Sequence, residues 1–375
     1  MKKKKKTAWG SVLMVLLYVL VGGYCGILIM RYMDTASLQG FGSYLLVFAL
    51  MLAGMYVIML LQIILHEGGH LIFGLLSGYG FSSFRVGSLM LQKMEEGLRF
   101  RRLSLAGTGG QCLMTPPALK DGTMPFVLYN LGGVLMNLLS VLVCFPLSLL
   151  WPGTPAGLFL QMAAVIGLVF ALANGLPLHL AEVDNDGANI VSMKKSPAAV
   201  RAFWTQLEAN ELASRGVRLK DMPEEWFALP DEKELQNGIT ASVAVLRESR
   251  LTDMLRIEES DEAARALLEG DVRLQGVYRS LLTCDRIFFA LLRGEDPAAM
   301  LSKELKQFMK AMKSFPSVLR CEYALALRAG DRQKAAKLRE AFEKMARNYP
   351  NPSDIESERE LMALADEKIT ATASI

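Results

Sequence analysis

The segment His66-Glu67-Gly68-Gly69-His70 lies inside a hydrophobic stretch that is long enough to cross a membrane. Within residues 41–84, Glu67 is the only residue with a formal charge, and His66 and His70 are the only histidines. A helix places residues four apart on one face, so both imidazoles can bind the same zinc ion. Glu67 is then placed to act as a base toward a water molecule at that ion. Such a motif among apolar residues indicates hydrolysis within a membrane.

An isolated match to this motif most often belongs to a charged turn on the surface of a soluble helix. That interpretation fails here, because an ionisable side chain in lipid costs about 3 kcal/mol unless a partner compensates it. A polar cluster that only holds membrane helices together is a second interpretation. We favour zinc over that cluster, because one ion accounts for His66, Glu67 and His70 together.

Four apolar segments are long enough to cross a bilayer, which requires roughly 20 apolar residues. They span residues 8–30, 44–76, 126–150 and 156–180. The first follows a run of lysines, but its apolar core is too long for a signal peptide and no small-residue cleavage site follows, so we expect it to remain as an anchor. The 375-residue chain, of which 52% is hydrophobic, is therefore predicted to be a polytopic α-helical membrane protein in contact with the lipid bilayer.

Basic residues predict the orientation of these spans. They lie before the first span (residues 2–6), between the second and third (Arg85, Lys93, Arg99, Arg101, Arg102 and Lys120) and after the fourth (Lys194, Lys195 and Arg201), whereas residues 34–40 and 151–155 contain none. The positive-inside rule then places both termini and the histidine motif on the cytoplasmic side. We expect a bacterial cytoplasmic membrane. The net charge of +3 is too small to indicate nucleic-acid binding.

A catalytic zinc site usually has three protein ligands and leaves a fourth position for water. The chain contains only one further histidine, His179, so the third ligand is either that residue or a carboxylate. Glu182, Asp184 and Asp186 follow His179 at the end of the fourth span. All four candidates are predicted to lie on the same side of the membrane as His66 and His70.

These two stretches together resemble the site-2 proteases, a family of intramembrane zinc metalloproteases. That family combines the His-Glu-x-x-His motif in one core helix with an Asn-x-x-Pro stretch ending in Asp-Gly in a later helix. Asn174, Pro177 and the pair Asp186-Gly187 match the second motif. The resemblance covers residues 41–192 and implies that His66, His70 and Asp186 bind Zn²⁺ and that Glu67 is the general base. The match at Asn174 and Pro177 also implies a break or bend in that later helix near the metal.

The Asp-Gly pair lies several residues farther from Pro177 than in the commonest family spacing. Asp184 is therefore the first alternative for the third ligand, followed by His179 and then Glu182. We favour Asp186, because a glycine after it lets the backbone turn tightly beside a metal.

Two asparagines and two glycines complete the predicted site. Asn137 matches a Gly-x-x-x-Asn pattern of the family's middle core helix, and Asn137 and Asn174 are candidates for positioning the substrate. Such an amide can donate to a substrate carbonyl, or it can hydrogen-bond between helices. Gly68 and Gly69 each disfavour a helix by about 1 kcal/mol, so we expect them to permit close approach of another helix or of an extended substrate.

The polar connection at residues 81–105 alternates apolar and polar residues, which predicts a β-hairpin. Its strands are expected at residues 84–91 and 98–103, with a turn at Glu95-Glu96-Gly97 and a flexible loop at residues 107–112. Site-2 proteases carry such a membrane-associated hairpin beside the active site. Its edge could hold an unwound substrate by β-augmentation, or the basic hairpin could rest on anionic headgroups.

The chain is predicted to consist of an anchor (residues 1–40), a metalloprotease core (41–192) and a soluble all-α domain (193–375). Residues 320–348 indicate a helical hairpin that turns at Gly330-Asp331. Two similar segments about 34 residues apart weakly resemble tetratricopeptide repeats, and such a tail could bind a protein partner.

The sequence thus predicts a zinc endopeptidase that cleaves membrane-embedded segments of transmembrane proteins, as in regulated intramembrane proteolysis. The first alternative is a non-proteolytic scaffold that retains the metal-site fold and acts through its helical tail. A transporter is a third possibility, but a transport pathway needs more ionisable positions along the spans.

Overall fold

The computed structural model describes residues 9–35, 38–105, 108–178 and 184–372. The chain divides into two units. The membrane unit comprises residues 1–79, 109–112 and 125–191, and the helical unit comprises residues 80–108, 113–124 and 192–375.

Four helices are long and apolar enough to cross a bilayer. They are α1 (Trp9–Thr35), α2 (Gly40–Leu76), α3 (Val127–Ser148) and α4 (Pro155–Gly175). Large apolar side chains such as Leu20 and Leu142 are 70% and 71% exposed, which is the distribution expected when helices face lipid. The prediction of four long apolar helices is confirmed, with ends a few residues from the predicted ones.

The membrane unit has an apolar core to which α1, α2 and α4 contribute. Its buried members include Cys25 and Ile29 from α1, Met51 and Ile58 from α2, and Met162 and Ile166 from α4. Gly54 makes room for Phe159, since a Cβ atom at Gly54 would lie 2.2 Å from that ring. α3 packs against both α2 and α4. The part of α2 from Met51 to Gly74, which includes the histidine motif, therefore packs against neighbouring helices.

A small antiparallel sheet follows α2. Its strands are β1 (Gly80–Val86), β2 (Leu89–Met94), β3 (Gly97–Arg102) and β4 (Gly110–Thr115), in the order β3-β2-β1-β4. Gly87 connects β1 to β2 with a φ of +59°, and Gly97 opens β3 with a φ of +115°. Both values favour glycine, because a Cβ atom is strained there.

The structure corrects the predicted hairpin in two places. The segment 84–91 is not one strand, because the left-handed conformation at Gly87 turns the chain between β1 and β2. Residues 110–115 form β4 and not a flexible loop. Cys112 and Met114 are buried while their neighbours are partly exposed. This alternation is the period of a strand, but the glycines that precede it favoured a loop.

Nine further α-helices are described after α4 in the chain. The first of them starts in the last residues of the membrane unit, and the others belong to the helical unit. In chain order, the nine helices are α5 (Asp186–Lys195), α6 (Pro197–Ser214), α7 (Gly238–Asp253), α8 (Ile257–Glu269), α9 (Gly276–Leu292), α10 (Lys303–Ala311), α11 (Pro316–Arg328), α12 (Arg332–Ala346) and α13 (Pro352–Thr372). Phe288 of α9, Cys321 of α11 and Ala365 of α13 lie in one apolar core and are fully buried.

The predicted helical hairpin at residues 320–348 is confirmed as α11 and α12. Gly330 adopts a φ of +69° in the connection, and Asp331 caps α12 by accepting a hydrogen bond from the Lys334 amide at 2.9 Å. Aspartate is a preferred residue at this capping position. Membership of α9–α13 in a tetratricopeptide array stays a prediction.

A buried ionic cluster links the helices of the helical unit. Arg320 is 1% exposed and pairs with Asp285 and, at 3.1 Å, with Glu358. Its guanidinium lies 4.4 Å from the centre of the Phe288 ring. Burial raises the pKa of Glu358 to about 7, and burial also raises the pKa of the nearby Glu248 carboxyl. Arg320 is therefore the cation that offsets several desolvated carboxyl groups.

Arg320→Met tests this cluster. Removal of one partner from a buried ion pair typically costs about 3–5 kcal/mol, so we expect a loss of that order in the free energy of unfolding. The pKa of Glu358 already exceeds the value of about 4.3 for an unfolded glutamate. At pH values between these two pKa values the unfolded chain therefore binds fewer protons than the folded chain. The free energy of unfolding then falls as pH rises through this range. Without Arg320 this fall becomes larger, so the loss is greater at pH 8 than at pH 5.5.

Hydrogen exchange of the α9 and α11 amides in the full chain, corrected for intrinsic rates, measures this loss. Arg339→Met is the matched control, because Arg339 pairs with Asp366 at the surface. The two side chains are 47% and 39% exposed, respectively, and exposed pairs contribute less than about 1 kcal/mol. Equal losses for the two variants would contradict the role assigned to Arg320.

Candidate metal centre

The two histidines of the motif converge with Asp186. His66 and His70 lie one turn apart on α2 and are 7% and 8% exposed, and their Nε2 atoms are 3.2 Å apart. Asp186, the first residue of α5, places its Oδ2 atom 3.2 Å from Nε2 of His66 and 3.4 Å from Nε2 of His70. Residues more than 100 positions apart in sequence thus direct three potential ligand atoms to one point.

Hydrogen bonds on the far side of each imidazole determine which nitrogen carries the proton. Nδ1 of His70 lies 2.7 Å from the Tyr129 carbonyl oxygen, which can only accept, so this Nδ1 donates. Nδ1 of His66 lies 2.8 Å from Oδ1 of Asn137 and donates in the same way. In a neutral ring the remaining nitrogen then holds a lone pair. When both rings are neutral, as metal ligands must be, both Nε2 lone pairs are therefore available where the rings meet Asp186.

This donor set fits a zinc ion. Oδ2 of Asp186 is buried and receives no hydrogen bond from the described residues. Three lone-pair atoms that face one another repel unless a metal ion or an added proton lies between them. Tetrahedral zinc, with bonds of about 2.0–2.1 Å, separates its ligand atoms by about 3.3 Å. The separations of 3.2–3.4 Å in the protein agree with that spacing.

Glycines bring α3 against the motif. A Cβ atom at Gly69 would lie 2.1 Å from the Gly132 carbonyl oxygen, and one at Gly132 would lie 2.4 Å from the Gly69 carbonyl oxygen. Gly133 lies against the ring of His66, where a Cβ atom would be 2.4 Å from Cε1. Close helix approach is thus the reason for Gly69, as expected. Gly68 differs, because no atom of the described neighbouring residues lies within 4 Å of its Cβ position.

Glu67 lies beside the first residue of β4. Its side chain is buried, and a Cβ atom at Gly110 would lie 2.5 Å from Oε1 of Glu67. Only a residue without a side chain lets the backbone of β4 pass this carboxyl group so closely. The candidate base therefore follows His66 directly in the sequence, and in the structure it lies beside the extended backbone of β4.

Asn185 holds Asp186, the third potential ligand, in place, and the sequence interpretation missed Asn185. Its Oδ1 accepts hydrogen bonds from the amides of Ala188 at 2.9 Å and Leu178 at 3.1 Å. Its Nδ2 donates to the carbonyls of Ala173 and Leu176, each at 2.6 Å. The side chain thus caps α5 and joins it to the end of α4. Asparagine directly before a helix is a known capping signal and could have identified this residue.

Gly187 supports Asp186 for a reason other than the predicted tight turn. It does not adopt a positive φ. A Cβ atom at Gly187 would instead lie 2.3 Å from the Gly175 carbonyl oxygen. The glycine therefore lets the start of α5 pack directly on the end of α4.

The other predicted site residues occupy varied positions. Asp184 is described but is not part of the converging group, whereas His179 and Glu182 lie outside the described residues. Asn137 is fully buried against His66. Asn174 donates to the Phe170 carbonyl at 2.9 Å within its own helix. α4 ends at Gly175, two residues before Pro177, in agreement with the predicted break.

Comparisons with known proteins do not identify a family. The chain matches no protein-family model, no curated protein and no solved structure. The site is therefore interpreted from its own geometry.

Gly69→Ala and Gly68→Ala test the helix approach that forms the site. A methyl group at Gly69 must separate α2 from α3, so both histidines lose their Nδ1 partners and we expect zinc affinity to fall by at least tenfold. The same change at Gly68 meets no contact within 4 Å among the described residues and favours the helix by about 1 kcal/mol. Zinc competition against a chromophoric chelator measures both variants. Comparable zinc affinity in the two variants would contradict this account.

Proposed function

We propose that this chain is a zinc-dependent intramembrane endopeptidase, of the kind its motifs resemble, and that it cleaves membrane-embedded segments of transmembrane proteins. One observation carries the proposal: His66 and His70 of the largely apolar helix α2 and Asp186 of α5 direct three lone pairs to one point, and Glu67 lies between the two histidines in sequence. The proposal includes the identity of the metal, the peptidase activity and the relation to site-2 proteases.

The donor set supports zinc as the metal. Two imidazole nitrogens and one carboxylate oxygen are the ligands of many hydrolytic zinc sites and leave a fourth position open. When bound, zinc supplies a Lewis acid that polarises a carbonyl group and lowers the pKa of water.

Glu67 is the residue that moves the proton. Its carboxylate accepts a proton from the attacking water as the oxygen forms a bond to the peptide carbonyl carbon. The same carboxyl group then delivers the proton to the leaving nitrogen as the carbon–nitrogen bond breaks. The products are one new carboxylate and one new amine. Burial of Glu67 excludes bulk water, which strengthens its interaction with charge that develops on the substrate.

The edge of the sheet offers a place for the substrate backbone. A helical substrate must unwind before cleavage, since its carbonyl groups are already hydrogen-bonded. β4 is the outermost described strand on its side of the sheet, and its first residue passes Glu67. An unwound segment that pairs with β4 would bring its backbone beside the candidate base.

Glu67→Gln tests the chemistry. We expect the wild-type protein with zinc, in proteoliposomes, to cleave some members of a panel of single-span peptides that carry helix-breaking residues. In water labelled with ¹⁸O, mass spectrometry should find one heavy oxygen in each new carboxyl terminus. Glu67→Gln should abolish cleavage while zinc content is retained, because the variant lacks the base but keeps the ligands. Cleavage by the variant would refute the mechanism, and zinc binding without cleavage by either protein would favour the scaffold.

Asp186→Ala and Asp184→Ala test the third ligand. Removal of a ligand atom should lower zinc affinity by at least about tenfold for Asp186→Ala, by analogy with losses of 10–100-fold for supporting residues. Asp184→Ala should retain the wild-type zinc affinity, because Asp184 is not among the converging ligand atoms. Equilibrium dialysis against buffered zinc measures both. The reverse order would transfer the role of ligand to Asp184.

A further inference from the structure

Gln62 is a buried amide at the depth of the candidate site that no motif accounts for. It lies on α2, one turn before His66, and is 2% exposed. A buried polar side chain in an apolar helix destabilises the protein unless its hydrogen-bonding groups are satisfied. Gln62 makes hydrogen bonds to both α3 and α4, so its position is determined by two neighbouring helices.

The orientation of the Gln62 amide is set by a main-chain group. Its Nε2 atom lies 3.0 Å from the carbonyl oxygen of Ala163, which can only accept, so the NH₂ end must face α4. Nε2 also donates to the Ser140 hydroxyl at 2.8 Å. A hydroxyl can donate or accept, so Ser140 does not by itself determine the orientation. The carbonyl of Ala163 does.

The orientation of Gln62 in turn constrains Asn137. With its NH₂ end toward α4, Gln62 presents Oε1 to Asn137, whose Nδ2 donates to it at 2.8 Å. Nδ2 of Asn137 also donates to the main-chain oxygen of Gln62 at 3.1 Å. Both N–H groups of Asn137 are then used on α2, and Oδ1 remains to accept the proton from Nδ1 of His66. Reversal of either amide would bring two donors or two acceptors together.

Space for this chain of hydrogen bonds exists because α4 has a glycine beside it. A Cβ atom at Gly167 would lie 3.1 Å from Nε2 and 3.2 Å from Oε1 of Gln62. These separations are tighter than ordinary contacts, so a larger residue would press on the amide. The chain of hydrogen bonds from Ala163 to His66 is thus closely packed at the Gln62 amide.

We infer that Gln62 is a positioning residue that keeps the proton of His66 on Nδ1 by fixing the orientation of Asn137, so that Nε2 of His66 is held ready for a metal ion. The inference rests on the proposed zinc site but not on the proposed peptidase activity. Residues that orient the ligands of a metal typically contribute 10–100-fold to its affinity. The second acceptor for Asn137, the main-chain oxygen of Gln62, survives substitution, so we expect a loss near tenfold.

Zinc affinity in a double-mutant cycle tests this inference. Gln62→Met keeps the length of the side chain and removes both of its hydrogen-bonding ends, so zinc should bind about tenfold more weakly. Asn137→Leu removes the acceptor for His66 directly and should weaken zinc at least as much. Because Gln62 acts through Asn137, the double variant should bind zinc no more weakly than Asn137→Leu alone. Ser140→Ala is the control and should leave the affinity unchanged.

The position of the proton provides a second readout that does not require metal or activity. The chain has three histidines, so ¹⁵N-labelled imidazoles of the full protein in detergent can be assigned with a His66→Gln variant. The metal-free wild type should show His66 with its proton on Nδ1, and Gln62→Met should add the other tautomer. A variant that fails to fold would lose the wild-type signals of His70 as well.

Additive losses in the cycle, or an unchanged tautomer of His66 in Gln62→Met, would overturn the inference and leave Gln62 as a link between helices. Failure of the peptidase proposal is distinguishable. In that case zinc affinity and the tautomer respond as expected, but no peptide is cleaved.

Discussion

The contact between the backbones of α2 and α3 at Gly69 and Gly132 is the constraint on which the rest of the site depends. Each glycine occupies a place where a Cβ atom would overlap the other helix. Because the helices cross here, Tyr129 lies one turn before the crossing and Asn137 lies beyond it, within hydrogen-bond distance of His70 and His66. The two glycines disfavour their helices by about 1 kcal/mol each. This loss of helix stability accompanies the close crossing that places the Tyr129 carbonyl and Oδ1 of Asn137 next to the histidines.

The end of α4 determines the position of the third potential ligand atom. α4 cannot continue through Pro177, and a helix end in an apolar region leaves carbonyl groups that need donors. Asn185 supplies donors to two of these carbonyls and, with its other atom, caps α5. Asp186 follows directly. The hydrogen bonds that satisfy the end of α4 thus also determine where the third potential ligand atom lies. Gly187 permits the close packing that this arrangement needs.

Features that depend on local periodicity could be predicted from the sequence, and features that depend on contacts between distant residues could not. Length and hydropathy indicate the four apolar helices, and spacing alone places His66 and His70 on one face. The hydrogen-bond capacity of Gln62 is visible in the sequence, but its acceptor on α4 is about 100 residues away. β4 was obscured because Gly109 and Gly110 favour a loop locally, although Gly110 is needed where the backbone passes Glu67. The choice of Asp186 over Asp184 came from a resemblance and from the glycine that follows Asp186, whereas its physical basis lies in Asn185 and in the contact of Gly187 with Gly175.

The direction of the hydrogen bonds bears on whether this polar cluster serves only to hold helices together. In a cluster of that kind each neutral imidazole can donate from one ring nitrogen and accept at the other. Here both imidazoles donate outward, to the Tyr129 carbonyl and to Asn137, and their acceptor nitrogens face each other and a carboxylate. Without a metal ion or an added proton this arrangement places three lone pairs in repulsive contact in a region of low dielectric constant. A cation site requires imidazoles that donate outward and accept inward. Asn137 and Gln62 continue the outward hydrogen bond of His66 as far as the main-chain carbonyl of Ala163 on α4.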